Sequence, residues 1–361
     1  MKYLLHLSVA AFLASCKPTP DQSKDHVWAL LPFTKADEVN PVLLADTNST
    51  FHCPVRDTIV QWEEKDVFNP AAVVRNDTVF LLFRAEDSVG KFAGTSRIGI
   101  AWSTDGLHFT KRPIPVLYPD NDAEKIYEWE GGCEDPRIVE DENGTYYMTY
   151  TAYDGDKARL LIASSKDLYH WTKHGLVFKN DTAEVNKWSK SGSIVCKYEN
   201  GKAIATKMDG KYCMYWGDTD IFLAVSDDLI HWYIVGDEKG KTRTIFGPRS
   251  KKFDSDLVEP GPPAMLTEKG IVLIYNSRNV PAKGDTSLAE GTYAASQILF
   301  DKNNPTKVID RMDTYFMKPD KPYEITGQVN HVCFVEGLVN YKGKWFLYYG
   351  TADSKIAVAV K

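Results

Sequence analysis

The segment NGTYYMTYT (143–151) decides the fold, because an Asn-Gly turn leads directly into a run of β-forming residues. Asn-Gly before such a run is a strong signal for a β-hairpin. The same turn-plus-strand unit occurs four more times along the chain. The other copies are NDTVFLLFR (76–84), DGKYCMYWG (209–217), KGIVLIYNS (269–277) and KGKWFLYYG (342–350). Their regular recurrence predicts five repeated units.

A second repeated segment follows the first in the early units. It combines an apolar strand, a serine, an Asp-containing turn and an aromatic residue. The clearest copies are IGIAWSTDGLHFTK (98–111), LLIASSKDLYHWTK (160–173) and IFLAVSDDLIHWYI (221–234). Five units of short antiparallel strands without a long helix pattern predict an all-β fold, specifically a five-bladed β-propeller.

Polar residues precede an apolar run just ahead of each hairpin, where we predict the innermost strand of each blade. These segments are FNPAAVV (68–74), CEDPRIV (133–139), KSGSIVC (190–196), VEPGPPAM (258–265) and FVEGLVN (334–340). Radial repetition would turn their polar groups toward one axis. The sequence therefore predicts a central pocket for a small molecule.

The N-terminus has the pattern of an export signal. Lys2 precedes a short apolar run that ends in Leu-Ala-Ser-Cys, which resembles a bacterial lipoprotein box. We predict a signal peptide at 1–15, lipidation of Cys16, a tether at 16–26 and a catalytic domain at 27–361. The protein would then be an exported bacterial lipoprotein, periplasmic or at the cell surface, attached to the membrane by its lipid alone.

Composition excludes several classes of function. The 361 residues carry a net charge of −6 and no block of Lys or Arg, so nucleic acid is not an expected partner. The other five cysteines form no CxxC pair and no zinc spacing, so we expect no metal, no cofactor and no essential disulfide. Oligomeric state is left open.

Carboxylates from two blades suit acid–base cleavage of a glycosidic bond, one protonating the leaving oxygen and the other activating water. Carboxylates at a propeller mouth also serve simple hydrogen bonding. The pattern alone leaves catalysis and binding equally open.

Several motifs together resemble glycoside hydrolase family 130, the β-mannoside phosphorylases and mannosidases, from about residue 68 to 353. The anchors include FNPA (68–71), SRIGIAWSTDG (96–106), GGCEDPRI (131–138), SDDLIHW (226–232) and YYGTAD (348–353). The resemblance implies that Asp135, in EDPR, is the general acid and acts through a hydroxyl of the bound mannose. It also implies that Asn69, Arg97 and Asp353 hold the non-reducing mannose. Arg84 and Arg137 lie in matching motifs, where a salt bridge is an equal alternative to a substrate contact. We further predict that Arg84, Lys207, Asn276 and Glu336 belong to the substrate-binding site.

Three positions favour the hydrolytic members over the phosphorylases. Asn276 replaces a phosphate-binding His, Asp154 stands about where an Arg is expected, and Glu259 stands where a small residue is expected. Losing cations and gaining carboxylates would repel phosphate and supply a base for water. We predict an exo-acting, inverting β-mannosidase, specific for β-1,2-linkages, with Glu259 as the base and Asp154 as the reserve. Lys207 would be a relic of the cationic site.

Three alternatives stay open. The first is a β-mannoside phosphorylase that produces mannose 1-phosphate. The second is the arabinanase/fructosidase type of five-bladed glycosidase, which needs an Asp where this chain has Asn69. The third is a non-catalytic carbohydrate-binding lipoprotein.

Overall fold

The computed structural model describes residues 26–181, 185, 187–238 and 240–361. The predicted signal peptide, Cys16 and all of the tether except His26 lie outside the described residues. In the part described, the chain forms 24 strands and only two helices of four residues, so the prediction of an all-β fold is confirmed. None of the described helices is long and apolar enough to cross a membrane.

The elements follow one another with short connections. In chain order they are β1 (Thr34–Lys35), β2 (Phe51–Cys53), β3 (Thr58–Val60), β4 (Asp66–Arg75), β5 (Thr78–Glu86), β6 (Ser96–Ser103), β7 (Thr110–Lys111), α1 (Lys125–Glu128), β8 (Gly132–Glu140), β9 (Tyr146–Tyr153), β10 (Ala158–Ser165), β11 (Thr172–Leu176), β12 (Ser193–Glu199), β13 (Lys202–Ala205), β14 (Tyr212–Trp216), β15 (Phe222–Ser226), β16 (Trp232–Ile234), β17 (Leu257–Pro260), β18 (Ala264–Thr267), β19 (Gly270–Arg278), β20 (Tyr293–Asp301), β21 (Asn304–Arg311), α2 (Pro322–Ile325), β22 (Cys333–Tyr341), β23 (Lys344–Thr351) and β24 (Lys355–Val360).

Antiparallel pairing divides most of these strands into five successive sets. The first is β4-β5-β6-β7 and the second is β8-β9-β10-β11. In the third set β12 pairs with β13 and β14, and β15 and β16 follow. In the fourth, β17 and β18 both pair with β19, followed by β20 and β21. Each set begins with one of the polar segments that precede the hairpins.

The fifth set is completed by the other end of the chain. Strands β22, β23 and β24 pair in order, and β1 then pairs antiparallel with the outer side of β24, placing Thr34 opposite Val360. This strand could not be predicted from the sequence, because two residues are too few to give a hydrophobic period.

The buried core lies between neighbouring sheets. Leu82 and Ile98 of the first set pack with Ile138 and Met148 of the second, and comparable clusters join the second to the third, the third to the fourth and the fourth to the fifth. A further cluster contains both Leu81 of the first set and Tyr348 of the fifth. The packing is therefore cyclic, and the first strands of all the sets can approach one region.

The repeated aromatic residues in the second strands are buried and organise ion pairs. Tyr150 donates a hydrogen bond to Glu128 (2.9 Å), and Lys173 lies 2.6 Å from the same carboxylate. Two further sets contain a matching acid–tyrosine–cation group, Asp254–Tyr275–Arg311 and Glu324–Tyr349–Lys35. We call these groups triads. Each joins the loop before a first strand to an outer strand.

Several sets of strands have an irregular backbone near the start of their first strand, and polar residues lie at these irregular positions. The strand register shifts around Asn69 in β4 and around Asp135 in β8. These residues and Ser191, just before β12, have φ of 47°, 48° and 56°, a left-handed conformation uncommon for residues other than glycine. Bulges that turn a side chain out of the sheet are frequent beside active sites.

Candidate active site

One polar pocket of about 120 Å³ collects residues from all five sets of strands and the loops that precede them. Its lining residues are Asn69, Arg84, Asp135, Lys190, Glu259, Tyr293, Val329, Val332, Phe334 and Asp353. Five of the sequence-predicted site residues are therefore brought together here: Asn69, Arg84, Asp135, Glu259 and Asp353.

Asp135 is buried among cations and amides. Its Oδ1 accepts a hydrogen bond from Asn69 Nδ2 (2.9 Å) and lies 3.4 Å from Arg84 Nη1, while its Oδ2 lies 3.5 Å from Lys190 Nζ. Burial alone would raise the pKa of Asp135, but Arg84 and Lys190 outweigh it and hold that pKa below its ordinary value. The carboxylate is consequently an anion in the sugar-free site.

The surroundings of Glu259 shift its pKa in the direction opposite to that of Asp135. It is buried at the end of β17, and its Oε1 accepts a very short hydrogen bond from Ser191 Oγ. Burial raises the pKa of Glu259 to about 7, although Lys190 attracts the charged form. A carboxyl group of this kind changes charge in the neutral range, as general bases often do.

Asp353 follows β23 and faces the same pocket. Burial raises its pKa to about 7, and the nearby Asp135 charge adds to the effect while Arg84 opposes it. The pocket thus combines one carboxylate that is ionised with two that exchange protons near neutrality. Pairs of carboxyl groups with separated pKa values are a signature of acid–base sites.

Arg137 connects the backbones of Asp135 and the segment after Glu259. Its Nη1 donates to the Asp135 carbonyl (3.3 Å), its Nη2 to Pro260 (2.7 Å) and its Nε to Gly261 (2.8 Å). The side chain is almost fully buried, so these bonds are shielded from water. Arg137 is a positioning residue for both carboxylates.

Glu336, predicted as a sugar contact, is not among the residues that line the pocket. It is fully buried, its nearest cationic atom is Arg137 Nη1 at 3.4 Å, and neither of its carboxyl oxygens makes a hydrogen bond. Burial raises its pKa well above the ordinary value. Burial therefore favours the protonated form of Glu336, next to the positioning residue Arg137.

Arg97 and Asn276 also lie outside the pocket lining, and both bond to neighbouring protein groups. Arg97 is fully buried and forms an ion pair with Asp87 (2.8 Å). Asn276 uses both ends of its amide on the backbone of Val335, donating to the carbonyl (2.9 Å) and accepting from the N–H (2.7 Å). These two hydrogen bonds connect the fourth set of strands to the fifth.

Asp154 and Lys207 lie away from the pocket lining. Asp154 accepts hydrogen bonds from backbone N–H groups of its own turn and forms an ion pair with Arg159 (2.6 Å), so it is poorly suited to serve as the reserve base. Lys207 lies in a separate groove beside Trp345, with its ammonium 5.0 Å from the centre of the Tyr212 ring.

Sequence reasoning missed Lys190, the cation that faces the carboxylates. Its Nζ lies 3.5 Å from Asp135 and 3.8 Å from Glu134. Burial would lower the pKa of Lys190, but the charges of Asp135, Glu134 and Glu259 raise it, so the ammonium stays charged. Its place at the start of KSGSIVC, one of the predicted inner segments, was the available signal.

The described residues hold no group of three or more His, Cys, Asp or Glu arranged to bind a metal ion. The five described cysteines are buried and free.

Comparison with known proteins places the chain among enzymes acting on mannosides. A family model described as beta-1,4-mannooligosaccharide phosphorylase, Glyco_hydro_130, matches residues 47–361. A 1,2-beta-oligomannan phosphorylase from Thermoanaerobacter sp. (strain X514) is 33% identical over 83% of this chain and 91% of its own length.

Two solved structures are more similar in sequence. A glycosyl hydrolase from Bacteroides ovatus is 47% identical with a TM-score of 0.90, covering 92% of this chain and 94% of its own. The second structure comes from a study of hydrolytic family members. That study reports that the GH130 family of mannoside phosphorylases contains glycoside hydrolases that target β-1,2 mannosidic linkages in Candida mannan. This structure is 46% identical with a TM-score of 0.90, and covers 92% of this chain and 94% of its own.

Proposed function

The chain belongs to glycoside hydrolase family 130, and from that premise we propose that it is an exo-acting, inverting β-mannosidase that releases mannose from β-1,2-mannosides. The observation that carries the proposal is that Asp135 of the second set of strands and Glu259 of the fourth set both line one small pocket. A pocket of about 120 Å³ has room for one terminal sugar, which supports exo action.

Glu259 is the proposed base. Inversion requires a carboxylate that removes a proton from the attacking water, on the face of the sugar opposite the leaving group. Ser191 fixes the orientation of Glu259, and Arg137 holds the next two residues through their carbonyl oxygens. Its pKa of about 7 makes it a stronger base than an ordinary glutamate.

Asp135 is the proposed acid, acting through a hydroxyl of the bound mannose. Because it is ionised in the sugar-free site, it must gain a proton before it can give one. Asp353 lines the same pocket with a pKa of about 7 and is the proposed source, but it can give its proton to Asp135 only when substrate binding raises the pKa of Asp135. A sugar that takes over the hydrogen bond from Asn69 would also weaken the stabilisation of the Asp135 anion.

Phosphorolysis is the second candidate, and two observations favour it. Relatives of 33% and 30% identity are named as phosphorylases of β-1,2-linked mannosides. Arg84 and Lys190 also place two cations in the pocket. Carboxylates already engage these cations, since Arg84 contacts Glu86 and Glu134 at 2.7 and 3.0 Å. This pairing, together with the 46% identity to the GH130 structure associated with β-1,2-mannoside hydrolysis, supports water as the acceptor.

Incubation with β-1,2-mannobiose, with and without phosphate, tests the proposal. We expect free mannose at the same rate in both, and no mannose 1-phosphate by chromatography. Glu259→Gln should lower the rate by roughly a hundredfold or more, with no recovery on adding phosphate. Phosphate-dependent formation of mannose 1-phosphate would establish the phosphorylase instead. β-1,4-Mannobiose in parallel assigns the linkage.

The proposal includes the architecture and the location. Five sheets that pack in a cycle, with their first strands near one pocket, support a five-bladed β-propeller at 27–361. An exported lipoprotein anchored at Cys16 accords with hydrolysis, because mannose 1-phosphate made outside the cytoplasm would be of little use to the cell.

A further inference from the structure

We propose that Trp188 and Asp218 form the subsite for the leaving-group sugar, a hexopyranose on the reducing-end side of the scissile bond. The inference rests on the proposed function for the identity of the ligand. It applies equally to hydrolysis and phosphorolysis, since both cleave the same bond.

The size of the pocket requires such a subsite. Sites for ligands of drug size measure about 300–1,000 Å³, whereas this pocket measures about 120 Å³. When one mannose fills it, the second sugar of a disaccharide must lie at its rim. The subsite is therefore to be sought among exposed groups that border the lining residues.

Trp188 is close in the chain to the pocket lining, and a hydrogen bond restricts its orientation. It precedes the lining residue Lys190 by two positions, and its side chain is 49% exposed. Its indole Nε1 donates a hydrogen bond to Asp218 Oδ2 (2.6 Å). An indole fixed at its N–H presents a flat apolar face to solvent, which suits the C–H face of a pyranose ring.

Asp218 lies between the segments that carry Lys190 and Glu259. The N–H of Gly217 donates to the Lys190 carbonyl (3.0 Å), and the N–H of Val258 donates to the carbonyl of Thr219 (3.2 Å). The Asp218 charge also acts on Glu259 directly. The Trp188–Asp218 pair is thus tied on both sides to the reacting centre, and its carboxylate is available to sugar hydroxyl groups.

Exposure of this kind is rare in the described part of the chain. Trp188 and Tyr233 are the two aromatic side chains there that are largely exposed. Tyr233 is in β16, the outer strand of the third set, and is 49% exposed as well. Tyr233 therefore provides a matched control for the loss of an exposed aromatic ring.

Binding measured by calorimetry in an Asp135→Asn background tests the subsite without depending on turnover. Trp188→Ala should weaken β-1,2-mannobiose roughly tenfold, from lost apolar contact. It should leave methyl β-mannoside unchanged, because that leaving group has no ring. Trp188→Phe should recover most of the affinity, and Tyr233→Ala should have no effect.

The outcomes separate the subsite from the proposed function. If Trp188→Ala leaves the affinity for mannobiose equal to that of the Asp135→Asn parent, the subsite is overturned. Loss of affinity for both ligands also overturns it, because the effect would then lie in the pocket. If the parent binds mannobiose in the expected pattern but the wild type releases no mannose, the proposed function fails and the subsite stands. If the parent binds neither ligand, the titrations are repeated in a Glu259→Gln background, and failure of both parents to bind overturns the proposed function and the subsite.

Discussion

Asp135 shows how one residue takes its properties from distant parts of the chain. A left-handed backbone turns it toward the pocket, Asn69 and Arg84 contact it from the first sheet, and Lys190 from the segment before the third. Glu259 faces the same pocket but has fewer compensating charges. The contrast in pKa arises from this unequal distribution of cations, since both groups are buried.

The pH dependence of kcat/KM tests which role Glu259 plays. A base must be ionised, and the pKa of Glu259 is about 7 in the free enzyme. We therefore expect kcat/KM to fall below about pH 7, by roughly tenfold per pH unit. The measured value belongs to the coupled carboxyl groups as a set. Activity that is retained in full at pH 5 would contradict the assignment of Glu259 as the base, whereas a fall above pH 7 would report loss of the Asp353 proton.

At this scale, sequence motifs located the pocket but not every side chain that faces it. Asn69 and Asp135 were predictable because their motifs are specific. Arg97 also belongs to a motif, but its charge is neutralised by Asp87, whose loop position gives no sequence signal. A cation facing a ligand and a cation facing a buried carboxylate look alike in sequence.

At the scale of elements, the triads explain why the repeated aromatics are tyrosines in several sheets. Each places a buried carboxylate between a phenol and a cation from an outer strand. The hairpins were predictable because turn and strand are adjacent in sequence. The triads could not be predicted from the sequence, because their three members come from separate elements.

Lys173→Met should lower the free energy of unfolding by about 3–5 kcal/mol, because it leaves the Glu128 carboxylate buried without its cation. Urea unfolding followed by tryptophan fluorescence measures the change. Lys342→Met is the control, since that side chain is 56% exposed and its partner Asp77 lies 3.6 Å away, so we expect a change within about 0.5 kcal/mol. Equal effects from both substitutions would show that the triad adds no stability.

At the scale of the whole molecule, the pairing of β1 with β24 joins the two ends of the domain. The number of units was predictable from the repeats, but the way the last unit is completed was not. Two short stretches far apart in sequence carry no local sign that they pair. Lys35 reinforces this pairing through its ion pair with Glu324 of α2, the short helix that precedes β22 (2.7 Å).

Deletion of residues 26–36 should leave β24 as an open edge strand. Its unpaired backbone groups would favour association with other chains, and Glu324 would lose its cation. We expect a lower melting temperature and concentration-dependent oligomers in size-exclusion chromatography. Lys35→Met, which keeps the strand, should lower the melting temperature without causing association. A monomeric deletion variant of unchanged stability would show that β1 is dispensable.

The pairing of β1 with β24 also determines when during biosynthesis the domain can finish folding. The chain emerges with β1 ahead of β24, so the early strand stays unpaired until the strands of all five sets have followed it. The sets of strands between them can form as they emerge, but the fifth set is complete only once β24 is free to pair with β1. Loop closure over such a distance is slow and leaves intermediates exposed to aggregation. Chaperone protection of the nascent chain would matter most during that interval.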